Sequence, residues 1–286
     1  MDMKSLDKGV IRSMTGYGRA SIRGEGFSCT VEVKSVNHRY LEVNTRLPDE
    51  FLRLDIEIKR IVKGFVKRGV VYLSLNFVYE EGPDLEIDDA LFRKLLKLEK
   101  EVEKRHGISQ PLNIHYILSY PGVVKQIQPR IPHAKKRQAI LHACNAALQA
   151  LVKSREKEGQ SLKKDIQERL KRIERNLELI ETLEKIKEKQ LLKAIEEEVK
   201  VLKPEEPPTP PSTSEEIVRL KSHLKAGHNL LEKGGVIGRE LDFLAQEMHR
   251  EVNTLSSKAL SPRTPRYAVK IKAEIEKIRE QALNIE

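Results

Sequence analysis

The first third of the chain contains three short segments in which apolar and polar residues alternate. They are CTVEVKSV at 29–36, YLEVNTRL at 40–47 and VVYLSLNFVY at 70–79. Period two predicts half-buried β-strands. Between the second and third segments, apolar residues recur with helical spacing at Phe51, Leu54, Ile58, Ile61, Val62 and Phe65. The pattern therefore predicts a small mixed sheet with one crossing helix that ends at Gly69.

A longer helical pattern occupies the middle of the chain. It runs from His133 to Glu158, meets Gly159, and resumes in a charged stretch from 160 to 200. Apolar residues in that stretch follow the spacing of a coiled-coil seam, at Leu162, Ile166, Leu170, Ile173, Leu177 and Ile180. We expect two helices joined at Gly159 as an antiparallel hairpin.

A proline-rich stretch, KPEEPPTPPSTSEE, follows at Lys203–Glu216. Proline removes a backbone donor and clashes with the preceding turn, so this stretch predicts a linker. After it, capping and glycine signals predict three helices, at Glu215–Lys233, Arg239–Ser256 and Pro265 onward.

Together these elements predict the α+β class. The expected order is a small N-terminal mixed sheet with its crossing helix, a long helical hairpin, and a C-terminal helical domain. The predicted boundaries are 11–130 for the α+β domain, 133–202 for the hairpin, 203–214 for the linker and 215–286 for the C-terminal helical domain.

The charge balance adds a candidate partner. The chain has 286 residues, a formal net charge of +10 and a sequence pI near 9.4. A surplus of positive charge attracts polyanions, and nucleic acid is the simplest polyanion to consider. A soluble surface rich in Lys and Glu explains the same composition, so charge alone leaves both interpretations open.

Cysteine use and hydropathy bear on the compartment. Cys29 and Cys144 are far apart and outside any CxxC spacing, which indicates neither a disulfide framework nor a structural zinc site. The first ten residues lack the apolar run of a signal peptide, and no stretch approaches the length of a membrane span. We therefore expect a cytoplasmic protein without a membrane partner.

Charged and amide residues form ordered stripes in the last 75 residues. In RELDFLAQEMHREVNTLSSK at 239–258, Gln246, Arg250 and Asn253 share one line, and Glu247, Glu251 and Thr254 share another. Similar stripes flank the apolar lines of the two other predicted helices. If the three helices pack together, these stripes could converge on one pocket.

Converging carboxylates with one imidazole would suit Mg²⁺ or Mn²⁺, and such an ion can activate water beside a phosphodiester. The candidate metal ligands are Glu247, Glu251, Glu276, Glu280 and His223. Candidate phosphate-holding residues are Arg219, Arg250 and Arg279, because a planar guanidinium binds phosphate oxygens in pairs. The alternative is that the same glutamates only form ion pairs with Arg and Lys.

A second candidate lies near the N-terminus, in KSVNHRYLEV at 34–43. Its His38, Arg39 and Tyr40 combine an imidazole, a guanidinium and an aromatic ring beyond the end of a strand. Such a group could stack a base and pair with a phosphate. The alternative is a turn whose polar side chains cap the backbone.

Five separated motifs resemble the YicC-like endoribonuclease family. They are RSMTGYGRA at 12–20, EVKSVNHRYLEV at 32–43, RLKSHL at 219–224, RELDFLAQEMHREVNTLSSKA at 239–259 and KAEIEKIREQALNIE at 272–286. Their order and placement cover nearly the whole chain. The resemblance implies an endonuclease that cleaves single-stranded RNA, depends on a divalent metal cation (Mn or Mg), and assembles as a homohexameric ring.

The family's motifs are carried over residue by residue. Among the residues in these motifs, the helical stripes favour Glu247, Glu251, His223 and Arg250 as the catalytic candidates of the C-terminal site. For RNA binding, the candidates are Arg12, Arg19, Asn37, His38, Arg39, Tyr40, Lys258 and Arg279. This sequence departs from the family pattern in two segments that flank the C-terminal motifs. One contains the prolines from 204 to 211, and the other is ALSPRTPRYA at 259–268, with two prolines and two arginines.

Three hypotheses remain after the sequence has been considered. The first is a metal-dependent endoribonuclease, and the second is a non-catalytic RNA-binding ring or adaptor for RNA decay. The third is a helical scaffold, supported by the seam from Leu162 to Ile180. Clustering of the five predicted metal ligands would separate the first from the others.

Overall fold

The computed structural model describes residues 9–80, 82, 84–107, 113–127, 131–202 and 212–286. It begins with a four-stranded sheet made of β1 (Gly16–Gly24), β2 (Phe27–Val36), β3 (Leu41–Arg46) and β4 (Gly69–Tyr79), in the order β1-β2-β4-β3. β2 is antiparallel to β1 and β4, and β3 is parallel to β4. The helix α1 (Asp55–Phe65) makes the crossover between β3 and β4. The predicted mixed sheet with a crossing helix is confirmed.

The two faces of this sheet have different surroundings. Residues such as Val31, Val33, Val71 and Leu73 are buried on the inner face, in one core with α1 and the first part of a long helix, α4 (His133–Leu202). β1 runs so close to α4 that a Cβ on Gly18 would lie 2.1 Å from a backbone oxygen of the helix. Because side chains alternate along each strand, the polar residues lie on the opposite, outer face.

A smaller unit follows the sheet. It contains β5 (Asp84–Ile87), α2 (Asp89–His106), α3 (Ile114–Leu118) and β6 (Val124–Ile127), and β5 pairs with β6 as an antiparallel two-stranded sheet. Asp88 caps α2 by accepting a hydrogen bond from the Leu91 amide at 3.0 Å, and Gly107 ends it with a left-handed conformation.

The predicted hairpin at Gly159 is wrong, because α4 continues through this residue as one helix of 70 residues. Its length is about 105 Å at 1.5 Å per residue. Gly159 instead allows the backbone at Ile11 to approach the helix closely, because a Cβ at this position would lie 2.1 Å from the backbone oxygen of Ile11. The chain needs a residue without a side chain here so that the N-terminal segment can lie against the helix.

Three C-terminal helices follow; the first and third pack on the second part of α4, and the middle one packs on the other two. The three helices are α5 (Ser214–Lys233), α6 (Gly238–Lys258) and α7 (Thr264–Ala282), as predicted. The apolar seam from Ile166 to Ile180 lies in their common core, together with Ile271, Ile275 and Ile278. The predicted linker at 203–214 lies mostly outside the described residues, because the structure describes nothing between 203 and 211.

The turn between α6 and α7 is held by a buried carboxylate on α4. Glu184 accepts hydrogen bonds from the amides of Leu260 and Ser261, at 2.8 and 3.2 Å, and from the Thr264 hydroxyl. The proline-containing segment at 259–268 is thereby fixed against α4 at the start of α7.

The two ends of the described chain meet on α4. Ser13 and Ile285 form a β-bridge, and the Met14 amide donates to the Asn284 oxygen at 2.8 Å. Arg155, which is 2% exposed, donates to the Ser13 oxygen at 2.6 Å and forms an ion pair with Glu286. We call this group the terminal clasp. It joins the N-terminal sheet to the C-terminal helices.

Candidate functional site

The acidic stripes of α6 face in two directions. Arg219 of α5 donates to Glu251 at 3.3 Å, and Arg279 of α7 donates to Asp242 at 3.2 Å. Asp242 and Glu251 are nine residues apart, and nine steps of about 100° place them on opposite sides of a helix. α6 therefore separates two grooves, one shared with α5 and one shared with α7.

The α5–α6 groove contains two paired carboxylates. Lys258 donates to Glu216 at 2.7 Å, one end of a ladder that continues with Arg219 and Glu251. Arg219 also forms an ion pair with Glu215. Residues later in α5 pair with residues earlier in α6, so the two helices are antiparallel. Glu251 is 7% exposed, and Glu216 is also buried.

Charge pairing shifts the pKa values in this groove. Burial raises the pKa of Glu216, but the hydrogen bond and charge of Lys258 outweigh it and leave the pKa below its usual value. The same hydrogen bond raises the pKa of Lys258, and the hydrogen bond to Glu251 raises that of Arg219. Within the described residues, the Oε2 atom of Glu216 is buried and has no hydrogen-bond partner.

The other three predicted catalytic residues are His223 and Glu247, which line this groove, and Arg250, which lies next to it. His223 is one turn beyond Arg219, and Glu247 is one turn before Glu251, so both line the same groove of the antiparallel pair. Both are half-buried, and Arg250 is exposed. Their side chains form no hydrogen bond or ion pair with other described residues. They are available to contact a ligand.

The α6–α7 groove has its own ion-pair network. Asp242 accepts from Arg279 and from Gln246, the latter at 2.9 Å, and Arg279 also pairs with Glu276 at 3.1 Å. The hydrogen bond to Asp242 raises the pKa of Arg279. Glu280 is exposed on α7. A phosphate would therefore have to compete with two carboxylates for Arg279, the residue predicted to bind it.

The five predicted metal ligands do not converge within the chain. His223, Glu247 and Glu251 belong to the α5–α6 groove, whereas Glu276 and Glu280 are on α7, beyond α6. Among the described residues, no group of three or more His, Cys, Asp or Glu side chains is arranged to hold a metal ion. The residues of one chain do not fit the ion that the sequence predicted, because the helical phases of α6 and α7 place the carboxylates in different grooves.

The loop at 37–40 adjoins the end of α7. The Asn37 side chain donates to the Leu283 oxygen at 2.7 Å, and Arg68 donates to the His38 oxygen at 3.1 Å. The Arg39 guanidinium lies 5.2 Å from the centre of the Tyr40 ring, which is 62% exposed. His38 lies 3.2 Å from the Tyr40 oxygen. Backbone contacts fix the loop, as the turn alternative predicts, while Arg39 and Tyr40 are exposed.

The other predicted RNA-binding residues are dispersed. Arg12 is half-buried and forms an ion pair with Glu156 at 2.9 Å. Arg19 is exposed on the outer face of the sheet, and Lys258 is engaged by Glu216. The structure thus brings Asn37, His38, Arg39 and Tyr40 together but places Arg12 and Lys258 elsewhere.

Sequence reasoning missed a set of exposed residues on the outer face of the sheet. Lys34 and Tyr72 occupy polar positions of the period-two pattern that predicted β2 and β4, whereas Tyr17 lies on β1, outside the three predicted segments. The signal was available in that alternation, but aligning the three residues required the strand order and register.

Comparison with known proteins covers nearly the full chain. The family model described as "Endoribonuclease YicC-like, N-terminal region" matches residues 11–164, and that described as "Endoribonuclease YicC-like, C-terminal" matches residues 125–286. A protein of Clostridioides difficile named "Probable endoribonuclease YicC" is 32% identical, covering 96% of this chain and 99% of the relative. One of the same name from Haemophilus influenzae is 29% identical, covering 97% and 100%. In the part of the chain that the structure describes, no helix is long and apolar enough to cross a membrane.

Proposed function

The chain belongs to the YicC-like endoribonuclease family, and from that membership we propose that it cleaves RNA phosphodiester bonds as an endoribonuclease. The observation that carries this proposal is the similarity, over nearly the full length of both chains, to relatives named as probable endoribonucleases. The positive net charge agrees with a polyanionic substrate.

We further propose that the substrate is single-stranded. The exposed Tyr40 ring with Arg39 beside it supports this, because an unpaired base can stack on an aromatic side chain while a guanidinium pairs with phosphate. Bases in a duplex are already stacked and would not reach this ring. The proposal also places the protein in the cytoplasm, where its RNA substrates would be found.

The α5–α6 groove is the proposed catalytic centre. His223 would transfer a proton, since an imidazole can act as general acid or base near neutral pH. Arg250 and Arg219 would bind the phosphate oxygens. Glu251 would hold Arg219 in place through their hydrogen bond, and Glu247, on the turn next to Glu251, would accept a proton or orient the attacking group.

Dependence on a divalent cation, Mn²⁺ or Mg²⁺, is also proposed, from the family resemblance alone. When bound, such an ion supplies an activated water and neutralises charge on the phosphate. The described residues of one chain do not form a site for it. That lack of fit is the observation in favour of the second candidate, an RNA-binding ring or adaptor without catalytic activity.

Assembly as a homohexameric ring is proposed as well. Apolar side chains are exposed on the C-terminal helices and the turn between α5 and α6, including Val218, Val236, Phe243 and Val269. Exposed apolar side chains such as these can be buried against other copies of the chain. Light scattering of the purified protein would measure the number of subunits.

The test of the proposed function is cleavage of a labelled single-stranded RNA by the purified protein, with and without EDTA. We expect internal cuts that EDTA abolishes and that added Mn²⁺ or Mg²⁺ restores. A His223→Gln variant made and purified in parallel controls for contaminating nucleases, because it should be inactive under all conditions. RNA binding without cleavage in any metal would favour the adaptor.

A further inference from the structure

The outer face of the four-stranded sheet carries an ordered row of polar and aromatic residues. Tyr17 on β1 pairs in register with Lys34 on β2, and Lys34 pairs with Tyr72 on β4. Asn44 on β3 completes the row opposite Tyr72. Adjacent strands are about 4.8 Å apart, so the two tyrosines are separated by about 10 Å with the lysine between them.

Both rings of this row are open to solvent. Tyr17 is 50% exposed and Tyr72 is 51% exposed, although aromatic side chains are usually buried in a core. They border a groove of about 380 Å³ that Lys34, Asn44 and Arg46 also line. Tyr17 is fixed by a hydrogen bond from its hydroxyl to Glu32, at 3.0 Å. The inner face packs on α4, so the row lies on a rigid base.

The charge of this face favours an anionic ligand. The basic residues at its outward positions are Arg19, Arg23, Lys34 and Arg46, and the acidic ones are Glu32 and Glu42. Glu32 is already engaged by Tyr17 and by Arg19, the latter at 3.5 Å. Lys34 and Arg46 form no ion pair with described residues, so their charges remain available beside the two rings.

The row is continuous with the loop at 37–40. β2 ends at Val36 and β3 begins at Leu41, so this loop lies at the end of the sheet where Lys34 and Tyr72 are found. Its Tyr40 is exposed, and Arg39 covers one side of that ring. Three exposed tyrosines and several cations therefore share one end of the sheet.

We propose that the outer face of the sheet is a binding platform for single-stranded RNA, in which bases stack on Tyr17 and Tyr72 and phosphates contact Lys34 and Arg46. The proposal rests on the proposed function, since RNA is taken as the substrate, and it adds a binding site away from the catalytic groove. Stacking accepts any base, so the platform would bind without strong sequence preference. The platform would hold the part of the RNA strand that extends beyond the loop at 37–40.

The test measures RNA affinity by fluorescence anisotropy with a short labelled oligouridine in EDTA, so that metal-dependent cleavage does not interfere. The variants are Tyr17→Leu and Tyr72→Leu, singly and together. Each ring should contribute at least about fivefold in affinity, and the double variant should lose more. Tyr17→Phe and Tyr72→Phe keep the rings and should lose much less affinity than the leucine variants, although Tyr17→Phe also removes the hydrogen bond to Glu32.

A matched control uses another exposed tyrosine. Tyr116 is 79% exposed on α3, outside the four-stranded sheet, so Tyr116→Leu should leave affinity unchanged. Lys34→Gln and Arg46→Gln should each reduce the slope of log affinity against log salt by about 0.7, the value for one phosphate contact on a single strand. Melting temperatures of all variants show whether they are folded.

Three results would overturn the platform. Folded leucine variants could bind RNA with unchanged affinity, or the phenylalanine variants could lose as much affinity as the leucine variants. Alternatively, the double leucine variant could change the number of subunits while affinity per subunit stays constant, which would make this face a contact between copies of the chain. If the unmodified protein binds oligouridine on this face but cuts no RNA, the proposed function fails and the platform stands.

Discussion

At the scale of single residues, Glu251 is a charged side chain of the α5–α6 groove that is nevertheless buried. A carboxylate that is 7% exposed loses most of its hydration, and this loss must be offset by a partner. Arg219 provides that partner and is itself exposed, so its guanidinium keeps donors directed toward solvent. The pair thus fixes an arginine at the mouth of the groove, where a phosphate could reach it.

We predict that Glu251→Gln abolishes most cleavage while the protein remains folded. Glutamine keeps the shape and an oxygen acceptor for Arg219, but it removes the negative charge. Cleavage of labelled RNA should fall at least about 100-fold, as for the loss of one positioned catalytic group. RNA affinity should stay equal or rise, because an anion near a polyanion has been removed.

Glu240→Gln is the matched control for this substitution. Glu240 is on the same helix, exposed in the first turn of α6 and outside both grooves' ion pairs. Its variant should cleave at the normal rate. A folded Glu251→Gln protein with unchanged cleavage would show that the α5–α6 groove is not the catalytic centre.

A second prediction at this scale concerns the loop at 37–40. Arg39→Ala removes an exposed guanidinium that lies beside the Tyr40 ring, so RNA affinity should fall while the melting temperature changes little. Arg93→Ala removes the same charge from an exposed position on α2 and controls for net charge. Equal affinities of the two variants, measured by anisotropy, would place the RNA-binding surface elsewhere.

At the scale of secondary structure elements, α4 determines how the rest of the molecule is arranged. Its first part packs under the sheet and its second part packs against α5 and α7, so one helix contributes to both hydrophobic cores. A bend at Gly159 would break that connection. The helix instead stays intact because the glycine leaves room for the backbone of Ile11.

We predict that Gly159→Ala destabilises the protein although alanine is the better helix former. The new Cβ would meet the Ile11 oxygen at 2.1 Å, and overpacking of this kind costs about 1–3 kcal/mol or more. Gly64→Ala is the matched control, since Gly64 lies in α1 with no atom within 4 Å of the added Cβ. That variant should gain up to about 1 kcal/mol from helix propensity.

Urea unfolding followed by circular dichroism would measure both changes in the free energy of unfolding. Stabilisation by Gly159→Ala, similar to that by Gly64→Ala, would contradict the close approach at Ile11. It would also mean that the N-terminal segment lies farther from α4 than described.

At the scale of the whole molecule, the terminal clasp connects the two cores through segments that are distant in sequence. Ser13, Met14 and Arg155 contact residues 284–286 through backbone pairing and one ion pair. The same C-terminal segment accepts the hydrogen bond from Asn37. The clasp therefore also fixes the loop at 37–40 relative to the C-terminal helices.

We predict that Glu286→Ala destabilises the chain by about 3–5 kcal/mol, the usual effect of leaving one buried charge without its partner. Among the residues that the structure describes, the substitution leaves the 2% exposed Arg155 with the Ser13 oxygen as its remaining acceptor. The double variant Arg155→Met with Glu286→Met should recover part of this loss, because no buried charge remains. Urea denaturation of the three proteins provides the comparison.

If Glu286→Ala were as stable as the unmodified protein, the ion pair would make no net contribution and the backbone pairing alone would hold the clasp. If the double variant were the least stable, packing of the arginine stem rather than its charge would be the stabilising factor.

The sequence by itself determined the elements of this protein. Alternation in CTVEVKSV and VVYLSLNFVY identified strands, and the spacing of apolar residues identified the helices around Leu241, Ile271 and the seam from Leu162 to Ile180. These patterns work because side-chain periodicity is a local property: it records which side of an element faces a core. The motifs at residues 12–43 and 219–286 also indicated the family that the comparisons establish.

Only the tertiary structure decided which elements face one another. Periodicity placed Glu247 with Glu251 and Glu276 with Glu280, but it could not reveal that the first pair faces α5 while the second lies on α7, on the other side of α6. The sequence pattern also predicted a helix end at Gly159, because Ile11, whose backbone requires a glycine there, is about 150 residues away in sequence. Tyr17, Lys34 and Tyr72 form a row only through the strand order and register. The physical reason is the same in each case: contacts between distant segments depend on packing, which no local pattern records.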